Sequence, residues 1–439
     1  MTTTPIIVQA PPSKSVSHRA FIAAALSAGT STVSGALESQ DLTRTRQCMA
    51  ACGANITGEN GNYSITGMAG KPKGGADAPV VLNVGESGTT CRLLTAVIGA
   101  GQGLFEVRGE GRMHDRPIRE LTAALEPLGP HTSFLEKHDC PPFVMRTKGL
   151  SGGETGISLE ESSQYLSGLL LAAPMAAAPV TINVTGKKAV SWPYVAITLS
   201  VLDDFAVPFT VQTLTGAAFE DADWRSLTEI APGKTRFLMR PAPYQARAYR
   251  VEGDWSNASY FLAAGALGPN PVTVRNLRKD SLQGDQAILD ILFRMGADVA
   301  WRGDDVTVSP GLLRGLDLDM GDCPDLVPTV GAVAALAEGE TTIHNVAHLR
   351  IKESDRLEAV ASEARKAGAV VDVLDDGLRI EPGTPPKGKS IEFCTYNDHR
   401  LAMSCSLYAL AGINVAYDNP SCVAKSFPGF FEEWKKVAG

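Results

Sequence analysis

Seven lysine and arginine side chains stand at, or just before, the predicted starts of helices. The set is Lys14, Arg19, Arg116, Lys352, Arg356, Arg400 and Lys425. A helix N-terminus has free N–H donors and a partial positive charge, so it attracts anions, and a nearby cation strengthens that attraction. This pattern predicts a binding site for strongly anionic small molecules.

Two carboxylates, Asp325 and Glu353, lie among these cations in the sequence. Neighbouring cations lower the pKa of a carboxylate, whereas burial raises it. A carboxylate that is kept near bound substrate among cations is suited to proton transfer. We therefore expect Asp325 and Glu353 to act as acid or base groups on an anionic substrate.

Uncharged polar groups complete the predicted site. The segment Ser162-Ser163-Gln164 places hydroxyl and amide donors at a helix start, where phosphate oxygens accept hydrogen bonds. Gly88 follows Ser87 at another helix start and lets the backbone approach a ligand closely. These residues are predicted to hold phosphate groups.

Each of these segments, taken alone, also has a simpler structural interpretation. The charged run 350–357 is typical of a solvent-exposed helix start held by salt bridges. Two serines at a helix start are common caps, and a single histidine such as His399 is usually structural. The recurrence of one pattern along the chain favours the functional interpretation.

The segments belong to a motif that recurs six times. Each copy opens with Ser or Asp, continues with an Ala- and Leu-rich helix, and closes with Gly and a Thr- and Val-rich strand. The copies open at Ser15, Ser87, Ser162, Ser256, Asp325 and Asp398. They lie about 70–75 residues apart, with one longer gap of about 94, and such periodicity indicates a repeat architecture.

A second helix follows in every copy, and a hairpin follows in several. Turns of two hairpins are predicted at Gly303-Asp304 and at Asp375-Asp376-Gly377. The repeat is therefore predicted to be a βαβαββ unit. Three units around a pseudo-threefold axis would build each of two similar domains, in an α/β (α+β) fold.

The repeat count also predicts the domain boundaries. We expect an N-terminal domain of residues 14–251 and a discontinuous C-terminal domain of residues 1–13 plus 252–439, with the active site in the cleft between them. The longest gap, residues 213–245, is predicted to hold the crossover between domains. The last repeat lacks a hairpin, and residues 5–9 are predicted to supply its missing strands.

Composition limits the classes of function. The chain has 439 residues, of which 44% are hydrophobic and 20% charged, and its formal net charge is −8. The acidic balance argues against a nucleic-acid-binding protein, which needs a broad basic surface. An ordinary doubly wound nucleotide-binding sheet is also disfavoured, because neither GxGxxG nor GxxxxGK[S/T] occurs.

Cysteine spacing and hydropathy indicate a cytoplasmic protein without a metal. None of the eight cysteines forms a CxxC pair or a zinc-like set with histidine, so buried thiols in a reducing compartment are expected. The first residues lack the features of a signal peptide. The apolar stretch 165–182 contains two prolines and is predicted to be a core helix and strand rather than a membrane span.

Eight segments in this order resemble the EPSP synthase (5-enolpyruvylshikimate-3-phosphate synthase) family over essentially the whole chain. They are PPSKSVSHRA, GTTCR, RMHDRPI, ESSQYL, VEGD, RIKESDRL, YNDHR and AKSFP. The resemblance implies the enolpyruvyl transferase-like fold, an inside-out α/β barrel of two three-unit domains. It also implies transfer of the enolpyruvyl group of phosphoenolpyruvate to the 5-hydroxyl of shikimate 3-phosphate, with release of phosphate and without cofactor or metal.

The resemblance further implies a role for each matching position. Asp325 would be the base for the 5-hydroxyl, Glu353 the acid for the enol methylene, and Lys14 a third catalytic group. Shikimate 3-phosphate would contact Lys14, Ser15, Arg19, Ser162, Ser163, Gln164, Ser191, Asp325, His348 and Lys352. Phosphoenolpyruvate would contact Lys14, Gly88, Arg116, Gln164, Arg356, Arg400 and Lys425. The expected protein is a cytoplasmic monomer of aromatic amino acid and chorismate biosynthesis.

Several positions depart from the family pattern, among them Trp192 and Trp255, which are bulkier than in many members, and Thr90, where some members have Ala. Glu86 stands where most members have Asn, and a carboxylate there would oppose a nearby phosphate unless it pairs with a cation such as Arg92. His348 stands where many members have Asn. Two other functions stay open at this point: an enolpyruvyl transferase for UDP-N-acetylglucosamine, disfavoured because residues 108–116 lack its reactive Cys, and a non-catalytic anion-binding repeat protein.

Overall fold

The computed structural model describes residues 4–438. The chain divides into two compact units, one formed by Lys14–Val251 and one by Met1–Ser13 together with Glu252–Gly439. We call these the middle unit and the terminal unit. None of the helices within residues 4–438 has the length and apolar character needed to cross a bilayer.

The α-helices carry several of the predicted site residues in their first turns. Those within residues 4–438 are α1 (Lys14–Leu26), α2 (Gln40–Ala51), α3 (Gly88–Gly99), α4 (Arg119–Leu125), α5 (Gln164–Ala172), α6 (Trp192–Asp204), α7 (Trp255–Leu267), α8 (Ile288–Met295), α9 (Val327–Ala334), α10 (Arg356–Lys366), α11 (His399–Cys405) and α12 (Phe430–Ala438).

Short strands separate the helices. Those within residues 4–438 are β1 (Ile6–Gln9), β2 (Thr30–Ser34), β3 (Asn55–Glu59), β4 (Asn62–Thr66), β5 (Val80–Gly85), β6 (Gln102–Gly109), β7 (His131–Phe134), β8 (Phe143–Lys148), β9 (Gly153–Leu159), β10 (Val180–Ala189), β11 (Phe209–Thr215), β12 (Ala218–Ala222), β13 (Thr235–Met239), β14 (Ala248–Arg250), β15 (Val272–Arg275), β16 (Asp298–Arg302), β17 (Asp305–Ser309), β18 (Asp317–Asp319), β19 (Thr341–His344), β20 (Val370–Val373), β21 (Leu378–Glu381), β22 (Ser390–Phe393) and β23 (Asn414–Tyr417).

The middle unit contains three open sheets with a shared plan. Their strand orders are β14-β2-β4-β3, β5-β6-β8-β7 and β12-β11-β13-β10-β9. In each sheet one parallel pair, such as β5 with β6, continues into antiparallel strands. The chain order β5-α3-β6-α4-β7-β8 is the predicted βαβαββ unit, since a parallel pair needs a crossover helix and an antiparallel pair needs only a turn.

The terminal unit repeats this plan with strand orders β1-β15-β17-β16, β18-β19-β21-β20 and β22-β23. The hairpin turns predicted at Gly303-Asp304 and at residues 375–377 are confirmed between β16 and β17 and between β20 and β21. The prediction for residues 5–9 was wrong in one respect. β1 pairs in parallel with β15, and so completes the first sheet of this unit instead of extending the two-stranded last one.

The longest gap between repeats was also assigned wrongly. Residues 213–245 were predicted to hold a crossover, but they lie within the middle unit and include β12 and β13. β13 pairs with β10 and β11, and β12 adds a fifth strand to that sheet. The extra residues of this repeat therefore include the added strand β12. The boundary between the two units lies between Val251 and Glu252.

Helices that are apolar on every side form the centre of the middle unit. α1, α3 and α5 are almost completely buried, as expected for helices enclosed in a core. α3 packs against α5, and Gly168 permits a close approach, because a Cβ there would lie 2.9 Å from Arg92 O. This packing brings the first turns of α3 and α5 together.

The terminal unit is built in the same way. α7, α9 and α11 are buried over nearly their whole length, and α9 packs against both of the others. Aromatic side chains cover one side of this core, with Phe430 and Trp434 of α12 stacked at 5.8 Å and Phe261 of α7 5.6 Å from Phe430. The buried helices hold their N-terminal turns in fixed positions.

Some predicted helix starts are confirmed, and others lie at different residues. Gln164 and Arg356 are the first residues of α5 and α10. Lys14 is the first residue of α1 rather than the residue before it. Arg116 does not adjoin the start of an α-helix, because α4 begins only at Arg119; it follows the 3₁₀ turn Gly111–Asp115. Lys425 ends a 3₁₀ turn, and residues 426–429 separate that turn from α12.

Candidate active site

The predicted site residues divide between the two units. The middle unit holds Lys14, Ser15, Arg19, Gly88, Arg116, Ser162, Ser163, Gln164 and Ser191. The terminal unit holds Asp325, His348, Lys352, Glu353, Arg356, Arg400 and Lys425. Within each unit these residues come from several repeats, and the first turns of α-helices position Lys14, Ser15, Gly88, Gln164, Arg356 and Arg400.

Lys14 lies at the N-terminus of α1 and contacts the start of α2. Its Nζ is 3.3 Å from Asp41 Oδ2, and both side chains are largely buried. Ser39 caps α2 by accepting a hydrogen bond from Leu42 N, which fixes Asp41 in the first helical turn. The ammonium group is thus held beside a carboxylate that the sequence analysis did not include.

Arg19 is buried and ties three helices together. Its Nε donates to Thr198 Oγ1 at 2.7 Å, its Nη1 to Ser15 O at 2.9 Å, and its Nη2 to Ser167 Oγ at 3.2 Å and Tyr194 O at 3.0 Å. Burial lowers the pKa of the Arg19 guanidinium to about 10, so it keeps its charge at neutral pH. A buried cation with these neutral partners favours a nearby anion.

Gly88 and Arg116 are in direct contact. A Cβ at Gly88 would lie 2.5 Å from Arg116 Nη2, so only glycine leaves room for the guanidinium against the first turn of α3. Arg116 Nη1 also donates to Glu86 O at 3.4 Å, and the side chain is buried. Because a helix N-terminus repels a cation, this arrangement gains stability when an anion binds both.

Gln164 joins the starts of α3 and α5. Its Nε2 donates to Thr89 Oγ1 at 3.0 Å, and its Oε1 accepts from Arg92 Nη1 at 3.0 Å. Its backbone N–H donates to Ser162 Oγ at 3.2 Å. Ser162 and Ser163 are both buried. The amide is therefore fixed beside Gly88, as expected of a ligand-orienting group.

Ser191 has an unusual backbone conformation. It occupies the cap position of α6 with φ 60° and ψ 43°, in the left-handed region that L residues rarely adopt. The following Trp192 donates from Nε1 to Leu227 O at 2.8 Å. A non-glycine residue held in this region is a frequent feature of ligand sites.

A buried hydrogen-bonded chain, which sequence reasoning missed, supports the start of α3. His18 Nδ1 lies 2.8 Å from Thr45 Oγ1, which lies 2.8 Å from Thr90 Oγ1, which lies 2.7 Å from Ser87 Oγ. Ser87 caps α3 by accepting from Thr90 N. The chain links α1, α2 and α3, and neither PPSKSVSHRA, which contains His18, nor GTTCR, which contains Thr90, shows that these side chains meet.

Arg356 is the most buried cation of the terminal unit and contacts three carboxylates. Its Nε donates to Asp398 Oδ2, its Nη1 to Asp325 Oδ1 and its Nη2 to Glu353 Oε2, at 2.8, 2.9 and 2.8 Å. Burial by itself lowers the pKa of Arg356. The carboxylates of Asp398, Glu353 and Asp325 outweigh burial and hold that pKa above its usual value.

Arg400 contacts the same carboxylate as Arg356. Its Nη2 donates to Asp325 Oδ2 at 2.6 Å, so Asp325 bridges two guanidinium groups. The two predicted acid–base residues, Asp325 and Glu353, therefore meet at Arg356. This convergence joins α10, α11 and the 3₁₀ turn Pro324–Leu326.

Asp398 changes the charge count of this cluster. Only Asp325 and Glu353 were predicted to act among the cations, but the carboxylate of Asp398 also lies there and is fully buried. It accepts from Ser354 Oγ at 3.1 Å and from Arg400 N at 3.0 Å, and it caps α11. Because Asp is an ordinary helix cap, the sequence alone gave no sign of its pairing with Arg356.

Lys425 lies beside a strained loop. Its Nζ donates to Asn397 O at 2.7 Å, and both Tyr396 and Asn397 have positive φ, at 53° and 54°. Tyr396 Oη donates to Glu363 Oε1 at 2.9 Å, which helps to hold this conformation. The segment YNDHR thereby places a carbonyl against the ammonium of Lys425 and the carboxylate of Asp398 against Arg356.

Comparison with known proteins now identifies the family. Residues 5–434 match the family model for EPSP synthase (3-phosphoshikimate 1-carboxyvinyltransferase). The chain belongs to the EPSP synthase family. The 3-phosphoshikimate 1-carboxyvinyltransferase of Shewanella denitrificans is 38% identical to this chain over 98% of its length and 96% of the relative's. That of Shewanella piezotolerans is 39% identical with the same coverage.

Solved structures have the same fold. EPSP synthase from Acinetobacter baumannii superposes with a TM-score of 0.76 at 24% sequence identity, covering 99% of this chain and 96% of that one. The enolpyruvyl transferase NikO from Streptomyces tendae gives 0.71 at 17% identity, covering 99% and 95%. The predicted α/β, enolpyruvyl transferase-like fold class is confirmed.

Two of the departures from the EPSP synthase pattern have defined surroundings. Arg92, the cation named above as an example of a partner for Glu86, donates to Gln164 and lies over the Tyr165 ring at 5.6 Å. Glu86 Oε1 lies beside Gly111, where a Cβ would come within 2.6 Å. His348 is buried in the 3₁₀ turn Ala347–Ile351, and Lys352 follows it, partly exposed.

Proposed function

We infer that this protein transfers the enolpyruvyl group of phosphoenolpyruvate to the 5-hydroxyl of shikimate 3-phosphate, giving EPSP and phosphate. It is a carboxyvinyl transferase of the shikimate pathway, EC 2.5.1.19. The observation that carries the assignment is the match to the EPSP synthase family over nearly the whole chain. The convergence of Asp325, Glu353, Arg356 and Arg400 adds an acid–base pair beside anion-binding groups.

Both substrates carry a phosphate and a carboxylate, so they repel each other. Fixed cations and helix N-termini offset that repulsion without reorganisation at the moment of reaction. Holding the hydroxyl and C2 within reach contributes up to several kcal/mol, on the order of 7–11 in the best oriented cases. The buried and hydrogen-bonded positions of Arg19, Arg116 and Arg356 support such preorganisation.

We propose the following proton path. Glu353 protonates the methylene of phosphoenolpyruvate, and C2 becomes cationic. The 5-hydroxyl oxygen bonds to C2 while Asp325 accepts its proton. The C2–O bond to phosphate then breaks with its electron pair, Glu353 takes a proton back from the methyl group, and the proton on Asp325 leaves with phosphate. Lys14 would stabilise charge on oxygen during these steps.

The residue assignments remain proposals drawn from the family motifs. Shikimate 3-phosphate is assigned to Lys14, Ser15, Arg19, Ser162, Ser163, Gln164, Ser191, Asp325, His348 and Lys352. Phosphoenolpyruvate is assigned to Lys14, Gly88, Arg116, Gln164, Arg356, Arg400 and Lys425. The contact of Gly88 with Arg116 and the bonds of Gln164 to Thr89 and Arg92 support the second set.

A phosphate-release assay tests the function. The full chain should release phosphate only when both shikimate 3-phosphate and phosphoenolpyruvate are present, and mass spectrometry should detect EPSP. Asp325→Ala should lower kcat by several orders of magnitude while the thermal unfolding transition remains. Release with UDP-N-acetylglucosamine in place of shikimate 3-phosphate would instead support the related transferase. No release with either acceptor would support a non-catalytic anion-binding protein.

The location and assembly of the protein also remain predictions. We propose that it works as a cytoplasmic monomer. Sedimentation of the purified chain at micromolar concentration should give a single species of the mass of one chain, 46.3 kDa. A concentration-independent dimer would contradict this.

A further inference from the structure

Asp325 covers the two arginines that are proposed to bind phosphoenolpyruvate. Its two carboxylate oxygens accept from different guanidinium groups, Oδ1 from Arg356 at 2.9 Å and Oδ2 from Arg400 at 2.6 Å. One carboxylate thus accepts from both guanidinium groups, as a bridging substrate anion would. The same residue is the proposed base for the acceptor hydroxyl.

The side chains of Asp325 and of its two arginine partners differ in their exposure to solvent. The side chains of Arg356 and Arg400 are 2% and 5% exposed, whereas that of Asp325 is 23% exposed. The carboxylate therefore lies on the solvent side of the two guanidinium groups.

The other carboxylates of the cluster have different positions. Asp398 is fully buried and is also bonded to Ser354 Oγ and to Arg400 N, so it is part of the core. Glu353 contacts Arg356 through Nη2, a different nitrogen from the one that bonds Asp325. Among these three carboxylates, Asp325 is the one that bridges both arginines from the exposed side.

We propose that Asp325 is a resident anion that phosphoenolpyruvate displaces. In the free protein it accepts one hydrogen bond from Arg356 Nη1 and one from Arg400 Nη2. The incoming carboxylate or phosphate takes over those hydrogen bonds, and the released Asp325 becomes available to accept a proton from the acceptor hydroxyl. This inference rests on the proposed function and adds that binding of one substrate prepares the base for the other.

Exchange of one carboxylate for another explains how buried arginines remain accessible at small cost. A buried guanidinium without an anion would bear a large desolvation penalty. With Asp325 in place the penalty is offset before substrate arrives, and the exchange conserves the number of charge-assisted hydrogen bonds. The consequence is competition, since phosphoenolpyruvate affinity is reduced by the resident carboxylate.

The test is the affinity for phosphoenolpyruvate of the full chain and of its Asp325→Asn variant, measured by isothermal titration calorimetry at fixed ionic strength. Asparagine keeps the size of the side chain and removes its charge. If Asp325 competes with substrate, the variant binds phosphoenolpyruvate about tenfold more tightly although turnover is lost. Equal or weaker binding by the variant would overturn the proposal.

Two further variants separate displacement from a general loss of negative charge. Glu353→Gln removes one charge that contacts Arg356 but leaves the bridge to Arg400, so its gain in affinity should be clearly smaller. In an Arg400→Gln background, Asp325→Asn should lose most of its effect. Equal gains for Asp325→Asn and Glu353→Gln, or an undiminished gain without Arg400, would contradict the exchange.

The result for the wild-type chain distinguishes failure of this inference from failure of the proposed function. Phosphate release by wild type together with equal or weaker binding by Asp325→Asn would remove only the inference. Absence of both turnover and phosphoenolpyruvate binding in wild type would remove the proposed function and the inference together. Thermal unfolding of each variant, with Asp325→Ala as a second substitution, confirms that affinities refer to folded protein.

Discussion

Arg356 donates from Nε to Asp398 Oδ2 at 2.8 Å, and both side chains are almost completely excluded from solvent. This pair joins the first turn of α10 to the cap of α11. It therefore couples the stability of the terminal unit to the position of a proposed substrate-binding arginine.

We predict that Asp398→Asn destabilises the protein by about 3–5 kcal/mol, because removing one partner of a buried ion pair leaves the other charge uncompensated. Urea unfolding followed by circular dichroism measures this. The matched control is Asp372→Asn, whose carboxylate pairs with Arg379 on the exposed surface and should contribute less than about 1 kcal/mol. Similar losses for the two variants would show that burial does not control the effect.

Gly88→Ala should weaken phosphoenolpyruvate binding without unfolding the protein. The new methyl group would lie 2.5 Å from Arg116 Nη2, so the guanidinium must move away from the start of α3. A rise of about tenfold in KM for phosphoenolpyruvate corresponds to about 1.4 kcal/mol. Steady-state kinetics measure it, with Gly429→Ala as control, since a Cβ there meets only Phe427 at 4.0 Å. An unchanged KM would exclude the assigned role of Arg116.

Lys425→Ala should raise KM for phosphoenolpyruvate by about tenfold to a hundredfold, the amount expected from losing one hydrogen bond to a charged group. KM for shikimate 3-phosphate should change much less. The control Lys435→Ala removes an ammonium that pairs with Glu432 on the exposed surface of α12 and should leave both constants unchanged. A loss confined to shikimate 3-phosphate would reverse the assignment of Lys425.

Stability should fall in mild acid because of His18. Burial, together with Lys14 and Arg19, lowers the pKa of this imidazole well below its usual value of 6.5. The unfolded chain takes up a proton at His18 as the pH falls below about 6.5, whereas the folded chain does not. The free energy of unfolding should therefore decrease by about 1.4 kcal/mol per pH unit from this residue alone, until the folded pKa is reached.

His18→Gln tests this linkage, since glutamine can still bond Thr45 but does not titrate. Unfolding free energies between pH 8 and pH 5, about the range in which histidine titrates, should show a shallower acid decline for the variant. His131→Gln, at an exposed position on β7, should keep the wild-type slope. Parallel pH profiles for wild type and His18→Gln would exclude His18 as the source.

The sequence predicted the repeated βαβαββ unit because its signals are local. Cap residues, Ala-rich helices and hairpin turns such as Gly303-Asp304 depend on neighbours within a few residues. The sheet predicted for β1 was wrong because β1 pairs in parallel with β15, which lies far away in the sequence. Nothing in residues 5–9 specifies which of two incomplete sheets they complete.

The sequence predicted which residues belong to the candidate site better than it predicted the contacts between them. Positive charge at helix starts and the family motifs gave Arg356 and Arg400. The bonds of these arginines to Asp325 and Asp398 depend on how α9, α10 and α11 pack, which the motifs do not encode. The chain from His18 to Ser87 was missed for the same reason, since its members are ordinary core and cap residues.

The pairing of β1 with β15 affects how the protein is made. Ile6–Gln9 leaves the ribosome before its partner Val272–Arg275, which follows more than 250 residues later. At about 5–20 residues per second the N-terminal segment waits on the order of ten to fifty seconds with unpaired backbone groups. During synthesis the middle unit can therefore fold before the terminal unit has all its strands.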